Sequence, residues 1–170
     1  VDELCLDLLA LRQAEPVDLR FITTAMKITH DLERIGDHAV NIAERALELN
    51  EEPPLPPFVD LPFMAWRAQE MVRAALDAFV ARDGQMARDV IELDQELDRR
   101  MEQIFRAMLK VMHDDAATIS RALRTTFVAK YFERIGDQAT NICEQTVFVS
   151  EARVIKHSSR SSSEETATNG

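Results

Sequence analysis

Two stretches decide how this chain is read: Glu33-Arg34-Ile35-Gly36-Asp37-His38-Ala39-Val40-Asn41-Ile42-Ala43-Glu44 and Glu133-Arg134-Ile135-Gly136-Asp137-Gln138-Ala139-Thr140-Asn141-Ile142-Cys143-Glu144. They lie 100 residues apart, need no gap to align, and agree at 9 of 12 positions. Agreement of that order marks an internal duplication. Each copy sits in an apolar pattern with alternating steps of four and three. In the first it runs through Ile28, Leu32, Ile35, Ala39, Ile42, Ala46 and Leu49, and in the second through Val128, Phe132, Ile135, Ala139 and Ile142. That spacing suits long helices packed near-antiparallel in a bundle.

Working outward, the six prolines fall at 16, 53, 54, 56, 57 and 62, never inside an apolar-periodic stretch. Pro16 suits the first turn of a helix after a break at Gln13–Glu15. The run Glu52-Pro53-Pro54-Leu55-Pro56-Pro57 cannot be helical and reads as an extended connector. Gly84 marks a tight turn between two helical patterns, and Asp114-Asp115 marks a helix start. Five helices follow, at about 1–13, 17–50, 62–82, 85–112 and 116–150, with no alternating pattern that would indicate strands. The chain divides into a first repeat at 1–50, a Pro-rich connector at 51–61, a second repeat at 62–150, and a Ser-rich tail at 151–170 that reads as disordered.

Composition agrees with an all-α reading. The 170 residues are 46% hydrophobic and 29% charged, with only 4 glycines. A chain of this length buries roughly 70% of its unfolded surface, enough for a core without disulfides. Cys5 and Cys143 lack any CxxC spacing and read as buried, reduced thiols of a cytoplasmic protein. The formal charge of −10 repels phosphate backbones, so nucleic acid is excluded as a partner. No apolar run approaches the roughly 18 residues of a membrane span.

The chemistry lies in which residues the duplication keeps. On a helical wheel with Glu33 at zero, Glu44, Asp37 and Asn41 fall at about 20°, 40° and 80°, and the apolar seam centres near about 215°. The acidic face is therefore expected to point away from the seam. A face that is only solvated has no packing reason to keep Glu, Asp, Asn and Glu in register twice. Glu33/Asp37 and Glu133/Asp137 are each spaced i, i+4, one turn apart, where two carboxylates repel unless a cation lies between them. Hard oxygen ligands suit Mg, Ca, Mn or Fe better than a zinc–thiolate site. A further pair, Asp94/Asp98, flanks the stripe Leu93, Leu97, Met101, Ile104 and Met108 and is the expected partner of Glu133/Asp137. By pattern Leu97-Asp98 corresponds to Val1-Asp2, which makes Asp2 the half-pair of the first copy. The plainer reading of each pair is a salt-bridged surface with Arg34 and Arg134 as counter-charge. Gly36 and Gly136, inside long helices, indicate close approach of another element or clearance beside the acids.

No P-loop, GxGxxG, GxSxG or HExxH is present, and no Ser or Cys is placed beside a His and an acid. An enzyme is not expected. A carboxylate-bridged di-iron bundle needs Glu-x-x-His on two helices. This chain has only His30-x-x-Glu33, reversed and unrepeated. A metal-free helical scaffold is the other alternative.

The paired ERIGDxAxNIxE segments, LALRQ at 9–13 before DLRFI at 18–22, the Pro-rich connector and ISRAL at 119–123 closely resemble the PhoU family. The resemblance implies a cytoplasmic regulator of phosphate uptake and phosphate-starvation signalling, built as two tandem three-helix-bundle repeats, the first incomplete here. It implies partnership with a phosphate ABC transporter ATPase and a phosphate-sensing histidine kinase. It also implies multinuclear metal clusters (Fe, Zn, Mn, Mg or Ca) held by E/D-xxx-D pairs, carried over onto Glu33/Asp37, Glu133/Asp137, Asp94/Asp98 and the lone Asp2. With one helix of the first repeat missing, the apolar residues Leu4, Leu8, Leu9, Leu11, Ile28, Leu32 and Ile35 are expected to be uncovered. A contiguous patch of that kind marks an interface, here a homodimer through the N-terminal half.

Overall fold

The computed structural model describes residues 1–11, 16–55 and 60–151, and among them there are helices and no strand. The helices are α1 (Asp2–Leu11), α2 (Pro16–Asn50), α3 (Leu61–Ala81), α4 (Gly84–Asp114) and α5 (Ile119–Glu151), with a short 3-10 turn at Ala116–Thr118 before α5. All five predicted helices are present. The break at 12–15, the connector residues 56–59 and the tail 152–170 lie outside the described residues; Glu151 belongs to α5 and pairs with Arg88.

Local chemistry sets the helix ends. Asp60 caps α3 by accepting from the Phe63 amide at 3.3 Å. Asp83 caps α4 by accepting from the Gln85 and Met86 amides at 2.9 and 3.0 Å. The α3–α4 turn differs from the sequence expectation. Its left-handed residue is Arg82, with φ 54°, and not Gly84. Gly84 is the first residue of α4, and a Cβ there would strike the Ser150 hydroxyl.

Helices α2 and α5, the two that carry the duplicated motif, run antiparallel. Arg124 at the start of α5 pairs with Glu48 (3.0 Å) and with Glu52, near the end of α2. Toward the other end, Asn141 hydrogen-bonds Asp31. Between them the His38 ring stacks on Tyr131, centroids 5.8 Å apart. Ile28, Ile35 and Ile42 pack with Ile135 and Ile142 in one core. The duplicated motifs thus meet at the middle of this helix pair.

α5 packs along three helices, α2, α3 and α4, while α2 packs along α5 and, more lightly, α1, and meets α3 only near its start, where Phe21 stacks on Phe79. The duplicated positions record the difference. Gly136, Ala139, Thr140, Cys143, Thr146 and Val147 are buried, whereas Gly36, Ala39, Val40, Ala43, Ala46 and Leu47 are exposed. Helix α3 supplies the covering layer of the second repeat through Met64, Ala68, Met71, Ala75 and Ala78, all fully buried. Among the described residues no helix covers the matching face of α2.

The uncovered patch is narrower than the apolar pattern indicates. Leu4, Leu8 and Leu32 are exposed, but Ile28 is buried and Ile35 and Leu9 are half-buried. Ile28 and Ile35 face α5, which covers them without any further helix. The side chain of Leu11 is outside the described residues. Both cysteines are free and buried, and burial pushes the Cys143 thiol up to about 12.

The two motif glycines separate a packing role from a propensity cost. A Cβ at Gly136 would lie 2.7 Å from Leu97 Cδ1 and 3.1 Å from Asp94 Oδ1, whereas one at Gly36 would meet nothing within 4 Å. Leu97 is fully buried and has no room to yield. Gly36→Ala is expected to raise stability by up to about 1 kcal/mol through helix propensity. Gly136→Ala is expected to lower it by about 1–3 kcal/mol through overpacking. Urea unfolding of the two variants against the parent checks both signs.

Candidate metal centre

Helix α5 presents two apolar faces. Val128, Ile135 and Ile142 face α2, as the heptad pattern indicates. The second is a row of small residues spaced by seven, Ala122, Ala129, Gly136 and Cys143, all buried in the second repeat. The acidic residues of the second copy border this second face. They point away from the seam that faces α2, as the wheel suggests, and toward α4. The wheel gives no sign of this second contact because small side chains add little hydrophobic signal, yet they let another helix approach closely.

That approach brings the two second-repeat pairs together. Asp94 of α4 is 3% exposed, and its Oδ1 lies against the Cα of Gly136. Its carboxyl is pushed up to about 7, first by burial and then by the negative charges of Asp98, Asp137 and Glu133. Asp94, Asp98, Glu133 and Asp137 thus form one electrostatic cluster across the α4–α5 boundary. Asp94 Oδ1 is buried without a hydrogen-bond donor, a costly arrangement for a carboxylate unless a proton or cation satisfies it.

The α5 carboxylates already have basic neighbours on their own helix. Lys130 Nζ donates to Glu133 Oε1 at 2.6 Å and stands equally close to Oε2, where it lies off the hydrogen-bonding direction. Arg134 donates to Asp137 Oδ2 at 3.0 Å. As these side chains stand, no three His, Cys, Asp or Glu among the described residues converge into a metal cage. The donor chemistry nevertheless fits a hard cation: it is all carboxylate oxygen, two of its atoms, Asp94 Oδ1 and Glu133 Oε2, are buried without a hydrogen-bond donor, and sulfur and imidazole are absent.

The first copy has the same residues without the same surroundings. The Glu33 side chain is 72% exposed, against 14% for Glu133. Asp37 is exposed too. His30 Nδ1 stands 3.7 Å from Glu33 Oε2. The side chain of Asp2 is outside the described residues. Sequence reasoning passed over Lys130, although its i, i+3 spacing from Glu133 is an ordinary pairing distance on a helix. It also passed over His38, which sits between the copies. Burial, then the Arg134 charge, pull the His38 pKa down, while Asp37 and Asp137 pull it up.

Known proteins share this architecture. Residues 1–46 and 61–146 match the PhoU domain. The chain belongs to the PhoU family. It is 41% identical over 157 residues to the phosphate-specific transport system accessory protein PhoU homolog of Aquifex aeolicus, spanning 92% of this chain and 71% of that protein. The homolog of the same name from Pseudomonas putida is 38% identical over 158 residues, spanning 92% of this chain and 62% of that one. The crystal structure of PhoU from Pseudomonas aeruginosa superposes with a TM-score of 0.84 at 38% identity, covering 89% of this chain and 73% of that one. That of the phosphate transport system regulatory protein PhoU from Streptococcus pneumoniae gives 0.81 at 28% identity, covering 90% and 72%. The family and the helical-bundle fold expected from the paired motifs are thereby shown.

Asp94 gives the site a pH signature in metal-free buffer. Its folded-state pKa of about 7 lies above the ordinary 3.8, so the folded protein holds an extra proton between the two values. The cost of ionising Asp94 is absent below about pH 4, grows as pH rises through the window, and is complete above about pH 7. Asp94→Asn is expected to be more stable than the parent by about 1–3 kcal/mol at pH 8, with the gap closing toward pH 4. Urea unfolding across that range, in chelator, measures it.

Proposed function

We propose that this protein is a regulator of phosphate uptake and phosphate-starvation signalling that acts by docking and carries out no catalytic step. The observation that carries this reading is the family match over 1–46 and 61–146, with relatives named as accessory proteins of the phosphate-specific transport system. Its partners in this reading are the ATPase of a phosphate ABC transporter and a phosphate-sensing histidine kinase, met in the cytoplasm. No helix among the described residues is long and apolar enough to cross a membrane. Removing the parent protein from its own cells is expected to leave phosphate-starvation genes expressed in phosphate-rich medium. Normal repression in such a strain, with no second family member present, overturns the reading; transcript measurement with and without complementation decides it.

The regulator docks, on this proposal, through an acidic helical surface loaded with metal. Asp94, Asp98, Glu133 and Asp137 would hold the ion in the second repeat, and Glu33 and Asp37, with Asp2, in the first. The support is the unsatisfied buried Asp94 Oδ1 and the all-oxygen donor set. Fe, Zn, Mn, Mg and Ca remain candidates, singly or as a cluster. A metal-free scaffold is the second reading, favoured by the Lys130–Glu133 and Arg134–Asp137 pairs, which already neutralise two of the acids.

A homodimer completes the proposal. It is supported by the exposed row Gly36, Ala39, Val40, Ala43 and Leu47 on α2, with Leu4 and Leu8 of α1. Side chains this small let a second helix approach as closely as α3 and α4 approach α5. Sedimentation at micromolar concentration is expected to show a dimer that Val40→Asp/Leu47→Asp converts to monomer. A monomeric parent protein removes the dimer and leaves the regulatory reading untouched.

A further inference from the structure

We propose that Lys130 is the resident cation of the α4–α5 carboxylate cluster, a tethered ammonium that an incoming metal ion must displace and that thereby sets the affinity of this site. The inference rests on the metal-binding reading above for the ion that competes with it.

The geometry is that of an occupied site. Lys130 Nζ lies 2.6 Å from both carboxylate oxygens of Glu133. Glu133 is more withdrawn from water than Asp137, with 14% of its side chain exposed against 34%. An ion that bonds Glu133 competes with the ammonium for these two oxygens and is repelled by its charge. Across the helix boundary Asp94 Oδ1 is 97% buried by residue exposure and lacks a donor. The ammonium therefore hydrogen-bonds Glu133 through Oε1 alone and leaves Asp94 without a donor. A divalent ion differs from a single ammonium in two respects: it carries twice the charge, and it can bond several carboxylates at once.

Lysine is suited to be displaced. Its charge sits on a flexible four-carbon stem, and with 38% of the Lys130 side chain exposed, the path to solvent is open. Arg134 at Asp137 is more exposed still and holds only one oxygen, at 3.0 Å. The first repeat lacks the device. Position 30 is a histidine, its ring nitrogen stands 3.7 Å from Glu33, and both groups are largely in water. The two copies of the motif thus differ in their built-in competitor although their acids are identical.

An opposite role for Lys130 is conceivable on the same distances: it could hold Glu133 in place for the metal, and the two roles give opposite signs on removal. Mn²⁺ is titrated calorimetrically into the intact chain, stripped of metal beforehand, and into Lys130→Met, Lys130→Gln and Glu133→Ala/Asp137→Ala. Circular dichroism establishes that each variant is folded. Displacement predicts that both Lys130 variants bind Mn²⁺ roughly tenfold to a hundredfold more tightly than the parent, the range set by losing one charge-assisted pair. The same site is lost in the carboxylate double variant. Unchanged or weaker binding in the Lys130 variants, with binding still abolished by Glu133→Ala/Asp137→Ala, overturns the inference and leaves the metal reading standing. Absence of Mn²⁺ binding in the parent and in both Lys130 variants overturns the inference and removes Mn²⁺ from the candidate ions.

Discussion

The architecture depends on how closely α4 and α3 can approach α5. That distance is set by side chains of one carbon or none, at Ala122, Ala129 and Gly136, aided by Cys143. With the backbones brought together, Met64, Met71, Leu97 and Met108 reach full burial. Large flexible side chains on one partner fill the hollows left by small ones on the other, which is how dense interiors are assembled. The same closeness carries Asp94 into the interior, because it shares a turn of α4 with residues that must be buried. The acidic cluster is therefore a product of the core packing as well as of charge. Moving α4 outward to accommodate a side chain at 136 would loosen the core and rehydrate Asp94 together.

Much of this was legible beforehand, for identifiable reasons. Duplication is a comparison of letters and needs no geometry, so the ERIGD pair stood out at once. Helix limits were legible because prolines and capping aspartates act within a turn or two of themselves. The pairing of Asp94/Asp98 with Glu133/Asp137 followed from matching acids across the repeat. That α4 packs closely beside the acidic face was not legible. A wheel weighs hydrophobicity, and a stripe of Ala, Gly and Cys registers weakly there even where it is buried against another helix. Nor was the contrast between Glu33 and Glu133 legible, since identical letters carry no record of what lies over them. It takes α3 and α4, present on one helix and absent from the other, to give the same carboxylate two dielectric surroundings.

Ion pairs at the periphery have a different task. Arg121 and Arg124 join Glu48, Glu52 and the Pro53 carbonyl where α2 ends and α5 begins. Arg67 lies between the rings of Phe63 and Trp66 while bonding Glu70 and Glu96 at 2.5 Å, tying α3 to α4. Exposed pairs contribute little stability singly. Here several share an arginine, and they lie where neighbouring helices must keep their register.

The antiparallel fit of α2 against α5 makes the two halves of the molecule electrically aware of each other. The motif of each helix lies at the helix midpoint, so antiparallel packing sets one beside the other and not at opposite ends of a rod. His38 demonstrates the nearness, since it feels Asp37 from its own helix and Asp137 from the other. A proton or an ion arriving at one motif therefore alters the potential at its twin, and salt screens the effect because Glu33 and Asp37 stand in water. The two copies form a coupled pair: a positive charge gained at one makes the next harder to add at the other, the more so the lower the salt.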